Sequence, residues 1–304
     1  MLGTLRLQQA AGSALVAVAL CGCAASAERE QQEAAKPLPD LGWFLGEVRK
    51  NLRSDRLLLS QYTYTAKETE HRLSKNGELK KSEVSVYEVY PSFEEGMTYR
   101  RLISKDGKPV TAKELERQDR AHDKKVLEKQ RKLEREGADE RARRQAKEAE
   151  ERRKEDAAID ELFRLYQVDM EGRQILDGHP ALVLRFRPKP GYKTKTSEAK
   201  ILRRIAGRAW FGEEDRQLIR VEAELIDTVS IGLGMLARLN KGAKMSFERR
   251  RVNNEIWLPA MAHFSGTGRL FLLKGLNIDA SSEYSDYKKF TVETSVSYRS
   301  HKNR

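Results

Sequence analysis

Apolar side chains recur at every second position in segment after segment of this 304-residue chain, and that period admits few folds. Leu182, Leu184 and Phe186 alternate with other residues, as do Ile219, Val221, Ala223 and Leu225. A period of two places such residues on one side of a β-strand. Asn76-Gly77, Asp106-Gly107 and Asp177-Gly178 separate the segments, and these dipeptides accept the positive φ of tight hairpins. Strands are expected over 61–73, 79–91 and 96–104, then over ~168–176 and 181–187. Ile201, Ile205, Ala209 and Phe211 alternate in the next, and 219–225 alternates back. Met245 and Phe247 open another, Ile256-Trp257-Leu258-Pro259 returns, and 261–273, 277–290 and 291–298 follow. Residues 228–240 read as a loop or short helix. Roughly ten strands in sequential hairpin order curl to bury one face, giving a mainly β (α+β) antiparallel half-barrel.

Two segments break the period. Asp40 is placed to cap a helix over ~40–56, in which Leu41, Phe44, Leu45, Val48 and Leu52 fall on one face. Such a helix docks on something apolar, as a lid or a plug. From Thr111 to Glu161 the chain carries 16 Lys/Arg and 16 Asp/Glu, with few large apolar residues. Pairs such as Glu116 and Arg120 support a helix by ~0.2–0.5 kcal/mol each. A helix charged all round is solvated or an interaction arm. Gly137 followed by Asp139 allows one helix to end and a second to begin, so the block reads as one arm or as an αα-hairpin, and Ile159, Leu162, Phe163 and Tyr166 return it to the core. The domain thus runs over 40–298, interrupted by a charged helical insertion at 111–161, with a tail at 299–304.

The N-terminus reads as an export signal over 1–23. Arg6 precedes an apolar stretch from Ala10 to Leu20, too short for the ~20 residues that span a bilayer. Two processing sites are legible. Ala25-Ser26-Ala27 has the small-x-small form of ordinary signal cleavage. Leu20-Cys21-Gly22-Cys23 resembles a bacterial lipobox, which makes Cys23 a lipid-attachment residue that anchors the chain to a membrane; Ala24 after it points to the outer membrane. Residues 24–39, closed by Pro37 and Pro39, form a polar tether. Export to the periplasm disfavours nucleic acid as a partner despite the net charge of +12.

No reactive constellation is legible. Cys21 and Cys23 are the only cysteines, so the body holds no thiolate zinc site or catalytic Cys. His71, His122, His179, His263 and His301 stand apart without metal-ligand spacing, and no Gly-x-Ser-x-Gly elbow occurs. Gly232-Leu233-Gly234 lacks the third glycine of a nucleotide loop, and Gly266-Thr267-Gly268 marks a bulge or bend in a strand. The sequence therefore suggests neither an enzyme nor a cofactor or metal site. The insertion is neutral, so all twelve excess positive charges lie elsewhere. Arg185, Arg187, Arg204, Arg208, Arg249 and Arg251 project from strands, on a face that is solvated or meets anionic headgroups. Trp210 and Trp257 sit beside turns and are expected in the core.

Several tracts carry a resemblance to a known family: Gly207-Arg208-Ala209-Trp210-Phe211 before an acidic turn, then Leu218-Ile219-Arg220-Val221-Glu222. Val252-Asn253-Asn254-Glu255-Ile256-Trp257-Leu258-Pro259 and Tyr284-Ser285-Asp286-Tyr287-Lys288-Lys289-Phe290 complete them. Together, over ~40–68 and ~170–292, they resemble the LolA/LolB superfamily of periplasmic lipoprotein carriers and outer-membrane lipoprotein-sorting-like proteins. The resemblance implies an unclosed barrel whose apolar concave face, covered by helices, receives acyl chains of a lipid or lipoprotein. The cavity residues expected from alternation are Leu182, Leu184, Phe186, Ile219, Val221, Met245 and Phe247. The alternative is a periplasmic sensor that binds a protein partner through the charged helices.

Overall fold

The structure, a computed structural model, describes residues 36–52, 61–92, 97–231, 237–270 and 274–290. The export signal with Cys21 and Cys23, most of the tether and the strand expected at 291–298 lie outside the described residues. Helix α1 (Leu41–Leu52) opens the described chain, followed by strands β1 (Tyr62–Leu73), β2 (Leu79–Tyr90), β3 (Tyr99–Lys105) and β4 (Lys108–Pro109). Two long helices come next, α2 (Ala112–Glu134) and α3 (Ala138–Leu165). Then follow β5 (Tyr166–Leu176), β6 (His179–Pro188), a short helix α4 (Ser197–Leu202), β7 (Ile205–Gly212) and β8 (Leu218–Leu225). The last elements are β9 (Val229–Ile231), β10 (Ala237–Leu239), β11 (Lys244–Val252), β12 (Ile256–Leu270) and β13 (Lys274–Lys289).

All the strands belong to one open antiparallel sheet, with main path β4-β3-β2-β1-β13-β12-β11-β8-β7-β6-β5. This is the open antiparallel half-barrel expected from the alternation, with helix α1 packed on one of its faces. Its order departs from a simple meander at two places: β8 pairs with β11, with the β9–β10 hairpin set off the path, and the first strand pairs with the last. β1 pairs with β13, from Tyr62 opposite Lys289 to Arg72 opposite Ile278. β4 and β5, neighbours in sequence, therefore stand at opposite edges.

The charged block is the crossing between those edges. At ~1.5 Å per residue, α2 extends about 35 Å and α3 about 42 Å. Helix α2 is fixed at its start to edge strand β3. Asp119 accepts hydrogen bonds from Tyr99 Oη at 2.7 Å and from the Arg101 guanidinium at 2.8 and 3.0 Å. Gln118 completes the strand edge, accepting from Leu102 N at 2.9 Å and donating to Leu102 O at 3.1 Å. His122 stacks on Tyr99 with ring centroids 4.2 Å apart. Beyond His122 no residue is buried until the end of α3, where Glu161 and Leu165 meet the sheet.

Three sequence expectations are corrected. Residues 229–231 and 237–239 form a small hairpin whose second strand pairs with β12, rather than a loop or helix. Ile201 lies in α4, capped by the Thr196 side chain, rather than in the β7 strand. Gly266 and Gly268 make room for that hairpin and its turn rather than mark a bulge. A Cβ on Gly268 would stand 2.2 Å from Arg238 O, and one on Gly266 2.8 Å from Ala243 Cβ.

Gly207 meets the same constraint in the centre of the sheet. A Cβ there would stand 2.0 Å from Glu222 O and 2.8 Å from Ala223 Cα on β8. Backbone atoms cannot swing aside as a flexible side chain can. Gly207→Ala is expected to lower stability by about 2–3 kcal/mol, the upper range for overpacking. Urea denaturation checks this as a lower midpoint at unchanged slope.

Candidate functional site: the apolar inner face and its cover

The inner face, the one α1 covers, is built as rows of side chains running across the strands. One row is Leu184, Ala209, Val221, Phe247 and Ala262, each opposite the next on β6, β7, β8, β11 and β12. The next is Phe186, Gly207, Ala223, Met245 and Phe264. Past β12 both rows turn polar. Ala262 is followed by Ser282, Glu68 and Ser85, and Phe264 by Ala280, Glu70 and Glu83. Glu68, Glu70, Glu83, Ser85, Tyr87 and Ser282 line an open depression there. The inner face is thus amphipathic, with an apolar half from β6 to β12 and a polar half from β13 to β2.

Helix α1 covers part of the apolar half. Phe44 and Val48 are fully buried with Leu182, Leu184, Ala209 and Phe211, and Leu41, Leu45 and Phe163 pack around them. Phe44 meets Phe211 edge-on at 6.4 Å. Each such side chain contributes ~1.5–3 kcal/mol of burial. A 12-residue helix is marginal alone, so this burial is what keeps it folded. Asp40 caps it through Trp43 N at 2.7 Å. A second apolar cluster of Ile205, Ala223, Leu225, Val229 and Ala243 continues the inner face, with Phe186, Val221, Met245 and Phe264 at its margin.

Six of the seven residues expected to line a cavity share this face: Leu182, Leu184, Phe186, Val221, Met245 and Phe247. Leu182 and Leu184 lie under α1 as packed core. Phe247 is half-buried, with the Arg249 guanidinium 5.6 Å from its ring centroid. Ile219 does not join them. Trp210 pairs with Arg220 and Phe211 with Leu218, so Ile219 is the unpaired residue of a bulge. It packs with Ala181, Val183, Trp210 and Trp257 in a separate cluster. Both Trp residues are core, with Nε1 of Trp210 donating to Gln174 at 2.8 Å and that of Trp257 to Asp215 at 2.7 Å.

Polar anchors around α1 escape the alternation. Arg173 is 1% exposed, forms a two-pronged ion pair with Glu213 and donates to the carbonyls of Lys36 at 2.9 Å and Pro37 at 3.4 Å. Arg49 pairs with Asp160 on α3, and Asn51 Nδ2 donates to Asp215 O at 2.8 Å. Next to Asp160, the Glu161 carboxylate accepts from Lys195 N at 2.5 Å and Thr196 N at 3.2 Å. The one available signal for Glu161 is a carboxylate set between Ile159 and Leu162. Four of the six arginines expected on an outward face pair with carboxylates. Arg185 and Arg187 reach Asp169, Arg208 reaches Glu171, and Arg204 reaches Asp227. Of the histidines, His263 lies 3.1 Å from Asp279 and His179 meets Trp257 edge-on.

The backbone N–H of Lys195, with that of Thr196, holds the Glu161 carboxyl below the usual carboxylate range against the opposing effect of burial. A lowered folded pKa means that the unfolded chain binds the proton more readily, so this stabilisation is present at neutral pH and fades on acidification. Glu161→Ala is expected to cost about 2 kcal/mol at pH 7, typical of hydrogen bonds to a charged group. The gap to the parent should narrow as pH falls through the lowered pKa, read from denaturation midpoints across an acid series.

No family model matches the chain, and no curated protein sequence matches it. Among solved structures it is similar to a DUF1329 family protein from Desulfovibrio piger, at 14% identity over 84% of this chain and 96% of that one, with a TM-score of 0.29. It is similar to a proposed outer membrane lipoprotein-sorting protein domain from Vibrio parahaemolyticus, at 9% identity over 81% and 92%, with a TM-score of 0.30. A third is MucB in complex with MucA, at 11% identity over 81% and 94%, with a TM-score of 0.23. Likenesses at this level transfer no site and no ligand.

Proposed function

We propose that this is an exported, non-enzymatic protein that holds the acyl chains of a lipid or lipoprotein against its inner face, anchored to the outer membrane through Cys23. The observation that carries the reading is the amphipathic division of that face. Apolar rows across β6–β12 suit hydrocarbon, at ~0.8 kcal/mol per buried CH₂. The polar half, with Glu68, Ser85, Ser282 and nearby Tyr64 and Tyr284, suits a polar head. Because α1 fills part of the apolar half, binding requires that it move. Its modest length and its position at the end of a tether suit a displaceable cover.

The charged crossing supports a second reading, a module that binds a protein partner. None of residues 123–157 is buried, so most of α2 and α3 is available to another surface. Site-specific crosslinking from Arg143 and Lys147 in the periplasm tests it; loss of a discrete adduct on charge reversal of these residues supports it, and an unchanged pattern counts against it.

For the acyl-chain reading, the exported protein should carry acyl adducts by native mass spectrometry, or take up a fluorescent fatty acid after delipidation. Phe44→Ser with Val48→Ser should raise uptake several-fold by freeing α1, and Phe247→Asp should lower it about tenfold, since a buried carboxylate is costly beside hydrocarbon. Folded parent and α1 variant that both refuse the probe would overturn the reading.

A further inference from the structure

Among the described connections of the sheet, that between β6 and β7 carries the largest excess of positive charge. Residues 187–204 contain seven Lys/Arg and one acidic residue, Glu198. Four of these cations, Lys193, Lys195, Lys200 and Arg203, are exposed, and none of the four has an ion pair among the described residues. Between them stands Ile201, 38% exposed, and next to it Ile226, 44% exposed. Ile226 N donates to Arg204 O at 2.8 Å and Arg204 N to Ile201 O at 2.9 Å, so the two isoleucines flank one turn.

This surface is held rigidly. Ala199 is buried, Tyr166 Oη donates to Leu202 O at 2.7 Å, and Glu161 grips the backbone at Lys195 and Thr196. Leu202 faces the inner cluster while Ile201, the next residue, faces water. The scaffold thus points two apolar side chains outward from the segment that carries these exposed cations.

We propose that this end of the barrel docks on an anionic phospholipid bilayer. The cations meet headgroup phosphates, and Ile201 and Ile226 enter the interface between them. Exposed cations alone would suit any acidic polymer; the two isoleucines exposed beside Lys200 and Arg203 suit a surface with an apolar layer beneath its charge. The dock is independent of acyl-chain binding and of lipid attachment at Cys23.

The test uses full-length protein carrying Cys23→Ser, exported and so without a lipid of its own, sedimented with vesicles. Vesicles of phosphatidylglycerol mixed with phosphatidylcholine should bind it about tenfold more tightly than phosphatidylcholine alone, and salt should weaken the binding. Lys200→Glu with Arg203→Glu should lower binding to the anionic vesicles about tenfold or more, and Ile201→Ser with Ile226→Ser should lower it several-fold. All four residues are exposed, so both variants should keep the parent's thermal midpoint and its uptake of fatty acid. Equal binding to both vesicle types, or variants that bind like the parent, would overturn the proposal. So would loss on charge reversal with none on serine substitution, which identifies an acidic polymer or protein as the partner.

Discussion

The pairing of β1 with β13 governs the rest of the molecule. It sets the first hairpins beyond the last strand, which leaves β4 and β5 at opposite edges of the sheet. The chain must then cross the width of the half-barrel. Irregular chain of that length would carry many backbone groups seeking partners, whereas a helix satisfies its own. The crossing is accordingly two long helices, with opposite charges laced three and four residues apart, as in Arg120 with Glu116 and Lys154 with Glu150. Only the ends touch the sheet, so only the ends need specific partners: Gln118 and Asp119 at one edge, Asp160 and Glu161 at the other.

The inner face follows from the same geometry. The absence of a side chain at Gly207 lets β7 and β8 approach closely, and Phe186, Met245 and Phe264 lie in the same row on either side. Part of what remains apolar is covered by a helix too short to be independent. Its attachment combines burial of Phe44 and Val48 with a few polar contacts at its ends, an arrangement that separates the strength of the cover from the strength of the sheet.

Much of this was legible in the sequence. Alternation located β6, β7 and β8 and six residues of one face, because the register of each strand matched the period. It misplaced Ile219, since a bulge shifts facing by one residue and leaves no trace in the hydrophobic pattern. It placed α1 and its buried residues and the charged helical block, but not the edges that block joins, because pairing between residues some two hundred positions apart has no local signature. Arg173 and Glu161 were missed for a related reason. A single buried charge looks like a surface residue until its partner, Glu213 or the Lys195 backbone, is brought to it by the fold.

Arg173 has a mechanical meaning as well. Its grip on the carbonyls of Lys36 and Pro37 lies upstream of α1, on a side chain braced by Glu213 and rooted in β5. A pull on the chain from its N-terminal side is therefore borne first by the sheet edge and not by the helix. Helix α1 is thereby shielded from tension applied upstream of Lys36, and its attachment depends on its own contacts with the sheet.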